Sequence, residues 1–247
     1  MSGIGYYYTE SNDMELILTK REARVYPWHM HMRHWTMGVV RFGNVLLLTA
    51  GNSRRVHAGD HFLIPPYELH SLCVEPESLL CVLCFDNMDV LSNGFPYSGA
   101  FLQTEDKVLL EAAISACRKN VSLLNAHHSP SIERDSLLCR SVQAVIQLIE
   151  EDPGETLHIE QMAEHGGYSL WHFLRGFQKV TDMTPHAFQL LCRLRLLRSM
   201  LRTDTASSIA AVSAGFSDQS HMHKVFKRQH GITPKQFKQV SFKLAPL

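Results

Sequence analysis

The rhythm of apolar positions changes partway along the chain. Between residues 15 and 90 they come in short β-like runs, Glu15–Thr19, Thr36–Arg41, Val45–Thr49, His61–Ile64 and Leu79–Phe85, parted by Gly43-Asn44, Gly51-Asn52 and Pro65-Pro66. Many short strands with turn residues at this spacing predict a β-sandwich or barrel. Farther on the period lengthens to three and four residues. Leu110, Ile114, Cys117, Val121 and Leu124 predict a helix that either covers the barrel or offers a heptad-like dimer seam. Helices are also expected over Leu137–Glu151 and Pro185–Arg202. The second carries Leu190, Leu194, Leu197 and Leu201 on one face and Arg195, Arg198 and Arg202 on another, and would be about 27 Å long at a 1.5 Å rise per residue.

Within this helical half the sequence repeats itself 48 residues on. Ala163 pairs with Ala211, Gly167 with Gly215, Tyr168 with Phe216 and Ser169 with Ser217. After a one-residue shift, Arg175 pairs with Lys224, Phe177 with Phe226, Thr184-Pro185 with Thr233-Pro234 and Phe188 with Phe237. Each copy reads as a short helix, a glycine turn, a serine N-cap and a second amphipathic helix, which is a helix-turn-helix. The glycine frees the backbone for the turn, and the aromatic after it can pack between the helices. Each Thr-Pro pair supplies an N-cap and a first-turn proline for a further helix.

Through Ala214-Gly215-Phe216-Ser217-Asp218-Gln219-Ser220-His221, Phe226-Lys227-Arg228 and Gly231-Ile232-Thr233-Pro234 the chain resembles the AraC/XylS regulators, over roughly Leu137–Lys238. The resemblance implies seven helices and two recognition helices, one in each of two neighbouring major grooves about 34 Å apart. By residue match Trp171, His172 and Arg175 face the groove in the first unit, with Lys179 farther along. Arg175 can take a guanine with two hydrogen bonds, and Trp171 can pack on a thymine methyl or a sugar. Phe173 and Phe177 read as core, and Leu174 stands where a polar residue is usual. The second recognition helix, Asp218–Gln229, offers Gln219, Ser220, His221, His223 and Lys224. Of these Gln219 suits adenine, and Lys224 suits guanine or phosphate. His221 and His223 diverge by about 200° on a helix, so they cannot grip one ion together.

In the first half, Ala58-Gly59-Asp60-His61-Phe62-Leu63-Ile64-Pro65-Pro66-Tyr67-Glu68-Leu69-His70 resembles the second cupin motif, with Tyr67 where a glycine is common. Trp28-His29-Met30-His31 resembles the first. Alternation along a strand points His29 and His31 to one face, and the resemblance brings His70 to join them. Three converging imidazoles could hold Zn²⁺, Fe²⁺, Ni²⁺ or Co²⁺ with an open position. The acidic fourth ligand usual in metal cupins has no counterpart, and His34 has the wrong strand parity. The same histidines could equally line an organic-effector pocket, the use to which sensors of this resemblance commonly put them.

Charge sharpens the division. The formal net charge of +0 conceals 11 Lys+Arg against 15 Asp+Glu over residues 1–136, and 13 against 9 over 137–247. From Ser169 onward the balance is 12 to 3. A basic half joined to an acidic half marks a nucleic-acid-binding module. The 45% apolar and 19% charged composition excludes a disordered or fibrous chain. With neither a basic-then-apolar leader nor a run of roughly 18 apolar residues, a cytoplasmic protein that does not enter the membrane is expected. Cys81 and Cys84 mimic a redox pair, but residues three apart in a strand face opposite sides and read as packed thiols.

These readings converge on an α+β chain, a cupin-like β-barrel followed by an all-α region with two helix-turn-helix units. The expected division is a sensing domain over 1–100, a helical linker or dimerisation segment over 101–136 with the interdomain linker at Asn125–Pro130, and a DNA-binding domain over 137–247. The expected function is transcription regulation rather than catalysis. A small-molecule or metal effector on His29, His31 and His70 would alter how a homodimer sets its recognition helices on double-stranded DNA, with RNA polymerase downstream. Two alternatives stand beside it: a cupin metalloenzyme with a DNA-binding tail, and an effector-independent DNA-binding adaptor.

Overall fold

The computed structural model describes residues 3–9, 14–31, 34–86, 104–120, 137–203 and 205–244. Val121 and Leu124 of the apolar stripe, and the linker expected at Asn125–Pro130, lie outside them. The chain forms two compact units, residues 1–129 together with 229–247, and residues 130–228.

The first unit holds strands β1 (Ile4–Tyr8), β2 (Met14–Lys20), β3 (Arg24–His29), β4 (Trp35–Phe42), β5 (Asn44–Thr49), β6 (Asn52–His57), β7 (His61–Ile64), β8 (His70–Val74) and β9 (Leu79–Phe85), then helix α1 (Thr104–Lys119). At the chain end come α8 (Pro234–Gln239) and β10 (Ser241–Lys243). One sheet runs β10-β1-β2-β9-β4-β7 and the other β3-β8-β5-β6. Pairing is antiparallel throughout except between β1 and β10.

Burial on both faces explains why β9, Leu-Leu-Cys-Val-Leu-Cys-Phe, shows no polar alternation. Leu83 stands opposite Leu16 and Met37, and Cys81 opposite Leu18 and Val39. That face packs under Leu109, Leu110, Ala113, Ile114 and Cys117 of α1 in a single apolar cluster. The helix is pinned by Asp106, which is 2% exposed and accepts a 2.6 Å salt bridge from Lys20. So the described part of the stripe covers the barrel. Cys84 lies on the opposite face from Cys81, with its sulfur 3.7 Å from Thr36 Oγ1. None of the six cysteines forms a disulfide, and burial pushes the Cys81 thiol up and the Cys117 thiol up to about 12.

The second unit contains α2 (Leu137–Glu151), α3 (Ile159–His165), α4 (Leu170–Thr181), α5 (Pro185–Arg202), α6 (Ser207–Ser213) and most of α7 (Gln219–His230). With α8 these make the seven helices that the AraC/XylS resemblance implies. Val142, Val145 and Ile149 of α2 are buried, as are Phe173 and Phe177 of α4 and Phe188, Leu194, Leu197 and Leu201 of α5. The Phe177 and Phe188 rings meet edge-on at 5.8 Å, a favourable aromatic geometry. Gln189 and Arg193 of α5 donate to the carbonyls of Pro153 and Glu155, closing the α2–α3 turn.

The expected boundary at residue 137 gave the whole C-terminus to one domain, whereas the compact units set residues 229–247 with the barrel. The cause is local. β10 runs parallel beside β1 in the register Tyr6↔Ser241, Tyr7↔Phe242 and Tyr8↔Lys243. The buried Phe237 ring stands 5.0 Å from that of Tyr6.

Candidate functional site

Both repeat copies build the expected turn. Gly167 and Gly215 sit at φ +74 and φ +79, a region open to glycine. Phe216 behind the second is buried and Tyr168 behind the first is half-buried. The caps differ from the expected serine pair. Ser169 accepts from the His172 amide at 3.3 Å, but in the second copy it is Asp218 that accepts from the His221 amide, at 2.8 Å. The one-residue shift in the repeat begins at this cap.

On α4, Trp171, His172, Arg175 and Lys179 are all exposed, while Phe173 and Phe177 are buried and Leu174 is half-buried. Trp171 is 70% exposed, a costly place for an indole without a partner. The Arg175 guanidinium lies 5.5 Å from its ring centre, within cation–π range. These residues, with Leu138, Ser169 and Gly176, line a surface groove of about 810 Å³. On α7, Gln219, Ser220, His221 and Lys224 are exposed. His223 is half-buried, and its Nε2 is enclosed without a hydrogen-bond partner among the described residues.

In the barrel, donor atoms of His29, His31 and His70 lie within 4.8 Å of one another. The ring centres stand 5.3 Å apart for His29–His31, 4.3 Å for His29–His70 and 5.5 Å for His31–His70. His29 and His70 face each other across β3 and β8. His31 lies just past β3, with buried Met30 between it and His29. His34 is not in the cluster. The His29 Nδ1 is 2.7 Å from the Pro27 carbonyl and the His70 Nδ1 is 2.8 Å from the Glu68 carbonyl. Carbonyls only accept, so each Nδ1 bears the hydrogen, which leaves Nε2 as the nitrogen with a lone pair whenever the ring is neutral. His70 is 1% exposed, and its Nε2 has no partner among the described residues. Burial, reinforced by His29, pulls its pKa to about 3, so it is neutral at physiological pH.

The sequence marks Tyr67 only as standing where a glycine is common, and its role in positioning His31 appears in the structure alone. Tyr67 adopts φ +65, and its amide donates to the His31 carbonyl at 2.8 Å. The glycine common at this motif position suits that left-handed backbone, which costs a non-glycine residue roughly 1–2 kcal/mol.

Comparison with known proteins bears on both regions. Residues 12–90 match the family described as AraC-like ligand binding domain, and residues 162–239 match the helix-turn-helix domain family. The regulatory protein SoxS of Escherichia coli is 32% identical over 98 residues, which are 39% of this chain and 92% of SoxS. The transcriptional regulator YbfI of Bacillus subtilis is 25% identical over 80% of this chain and 81% of its own length. The RCS-specific activator RclR of E. coli is 32% identical over 111 residues, 44% of this chain and 39% of RclR. Among solved structures, ToxT from Vibrio cholerae superposes with a TM-score of 0.60 at 11% identity, covering 92% of this chain and 98% of ToxT. That likeness is one of fold.

Proposed function

The chain belongs to the AraC family of transcription regulators, and on that premise we propose that it is a metal-responsive member, with the ion held by His29, His31 and His70. As a sequence-specific DNA-binding regulator it carries a ligand-binding barrel ahead of its helix-turn-helix units. The observation supporting a metal is the enclosed His70 Nε2, a lone pair without a donor among the described residues, on a ring whose centre stands 4.3 Å from that of His29 and 5.5 Å from that of His31. A neutral acceptor-only nitrogen is poorly matched to an organic carboxylate and well matched to a Lewis acid. Backbone carbonyls on the far nitrogens are the usual outer support of metal-binding histidines.

DNA is read by Trp171, His172, Arg175 and Lys179 on α4 and by Gln219, Ser220, His221 and Lys224 on α7, with His223 packed behind them. The protein works in the cytoplasm as a homodimer with RNA polymerase as its downstream partner, and it turns over no substrate. Among the described residues no helix is long and apolar enough to cross a membrane.

Calorimetry of the full chain with Zn²⁺ tests the metal reading. One ion per chain is expected, with at least about a tenfold loss of affinity in His70→Ala. A parent chain that takes up no ion, or a variant that binds as tightly as the parent, would overturn it. Histidine variants that alter the response to an organic effector while metal content stays negligible would assign the cluster to that effector instead.

A further inference from the structure

The strand that ends in His29 also holds the far end of the second recognition helix. Arg24 opens β3 with its side chain 7% exposed, and its Nη1 donates to the carbonyl of His230, the last residue of α7, at 3.2 Å. Four residues later the Trp28 carbonyl accepts a long 3.4 Å bond from Gln229 Nε2. Both partners belong to the barrel's own compact unit. The contact suits its place, because the last carbonyls of a helix lack internal donors and carry the negative end of its dipole. Gly231, at φ +70, ends the helix there. A Cβ on it would lie 2.8 Å from Arg24 Nη1, so glycine both makes the turn and leaves room for the guanidinium.

Between these anchors the strand is irregular. Tyr26 pairs with Leu72, but the next pair is His29 with His70, leaving an extra residue at Pro27-Trp28. Pro27 has no amide to give the ladder, so a bulge is the arrangement a strand can accept here. The two carbonyls of the bulge serve different clients. That of Pro27 holds the His29 ring through Nδ1, and that of Trp28 receives Gln229. A change in where the His29 ring sits is therefore one peptide away from the bond to α7.

We propose that the stretch Arg24–His29 is the link through which occupancy of the histidine cluster reaches the last turn of α7, the helix that begins with Gln219, Ser220 and His221. The link rests on the metal reading above. The donor nitrogens lie within 4.8 Å of one another, and donors on one ion at about 2.1 Å lie at most about 4.2 Å apart, so seating an ion fixes their spacing and with it the setting of the His29 ring. The bulge is the softest part of the strand and takes up any change in that setting. Arg24 is held by two bonds, to His230 and to Glu22 at 3.1 Å, while its buried Nε has no acceptor among the described residues.

The test uses the full chain, Zn²⁺ as the probe, and a DNA fragment that the chain itself selects from a random-sequence pool. In the parent, Zn²⁺ is expected to change the Kd for DNA by about 5- to 150-fold in one direction. In Arg24→Met, and in the double variant with Gln229→Leu, Zn²⁺ affinity should stay within about threefold of the parent while that change shrinks below about twofold. Arg24→Lys should keep part of it, through the helix dipole. Because Arg24 is buried, Gln229→Leu alone is the safeguard against misfolding, and it should at least halve the change on a logarithmic scale. Variants that retain the full parental response overturn the link, and so does a parent that binds Zn²⁺ without altering its DNA affinity. A parent that binds no Zn²⁺ fails at the earlier calorimetric step, which identifies the metal reading as the error.

Discussion

The two helix-turn-helix copies share a sequence pattern and differ in how their second helices are held. α4 begins at a neutral serine cap and ends at Asp182, a non-glycine residue at φ +56. α7 begins at a charged aspartate cap and ends at a glycine beside a guanidinium from β3. The aromatic turns differ as well. A Cβ at Gly167 would meet nothing within 4 Å, whereas one at Gly215 would lie 2.7 Å from the Gly154 Cα and 2.8 Å from its carbonyl oxygen. The first unit is a recognition helix on an open turn. The second is built into its surroundings at the turn and at the far end, which is where a regulator can gain control of it.

The turn glycines give the largest expected contrast. Alanine at either pays the left-handed penalty of roughly 1–2 kcal/mol. Gly167→Ala should cost about that amount and no more, since its Cβ enters open space. Gly215→Ala must also displace backbone, adding about 1–3 kcal/mol, for a total of about 2–5 kcal/mol in chemical denaturation. Equal losses in the two variants would show that the second turn is no tighter than the first.

Next in size is the division of labour on DNA. Arg175→Ala removes the side chain proposed to take a guanine, which also lies over the Trp171 ring, so it should cost about 1–3 kcal/mol of binding, some 5- to 150-fold in Kd, with relaxed preference at one base pair. Lys224→Ala should weaken binding nearly uniformly across sequences and reduce the dependence of log Kd on log salt by about one unit. Binding to the selected fragment and to scrambled DNA over a salt series separates them. A uniform loss for Arg175→Ala and a base-specific one for Lys224→Ala would reverse the assignment.

What was legible in the sequence followed from periodicity and spacing. The five strands read from apolar runs are all present, as are the helices over Leu137–Glu151 and Pro185–Arg202 at those bounds. β6, Asn-Ser-Arg-Arg-Val-His, is an edge strand with a single buried residue, so it offers no apolar run. β3 was visible only as a histidine motif, because Pro27 interrupts it. The convergence of His29, His31 and His70 was legible as motif resemblance, but the parity argument covered only part of it. His31 stands beyond the strand and is held by the Tyr67 amide. Nothing in local pattern announces β10, a three-residue strand defined by its pairing with β1, or the bond from Arg24 to a carbonyl 206 residues away. Long-range partners of that kind are set by tertiary packing, which propensity does not encode.

The smallest effect separates the two caps by pH. Ser169 has no charge to lose, so its bond to the His172 amide should persist on acidification. Asp218 is different. Its carboxyl pKa is lowered, first by the hydrogen bond from the His221 amide and then by that from the Ser217 hydroxyl. A folded-state pKa below the unfolded value means the cap's contribution is complete above the unfolded aspartate pKa of about 3.9 and is lost as pH falls through the folded one. The group is fully exposed, so the effect on global stability is minor, and the informative observable is local. In a ¹⁵N–¹H titration the His221 amide should move as Asp218 protonates, with a midpoint below that of an ordinary aspartate, while the His172 amide stays still over the same range. Asp218→Asn keeps an acceptor without the charge, and should abolish the low-pH movement of His221 while leaving α7 formed. If His221 and His172 moved together, or if neither moved, the two recognition helices would be capped alike, and the difference between the copies would reduce to the turn and the far end of α7.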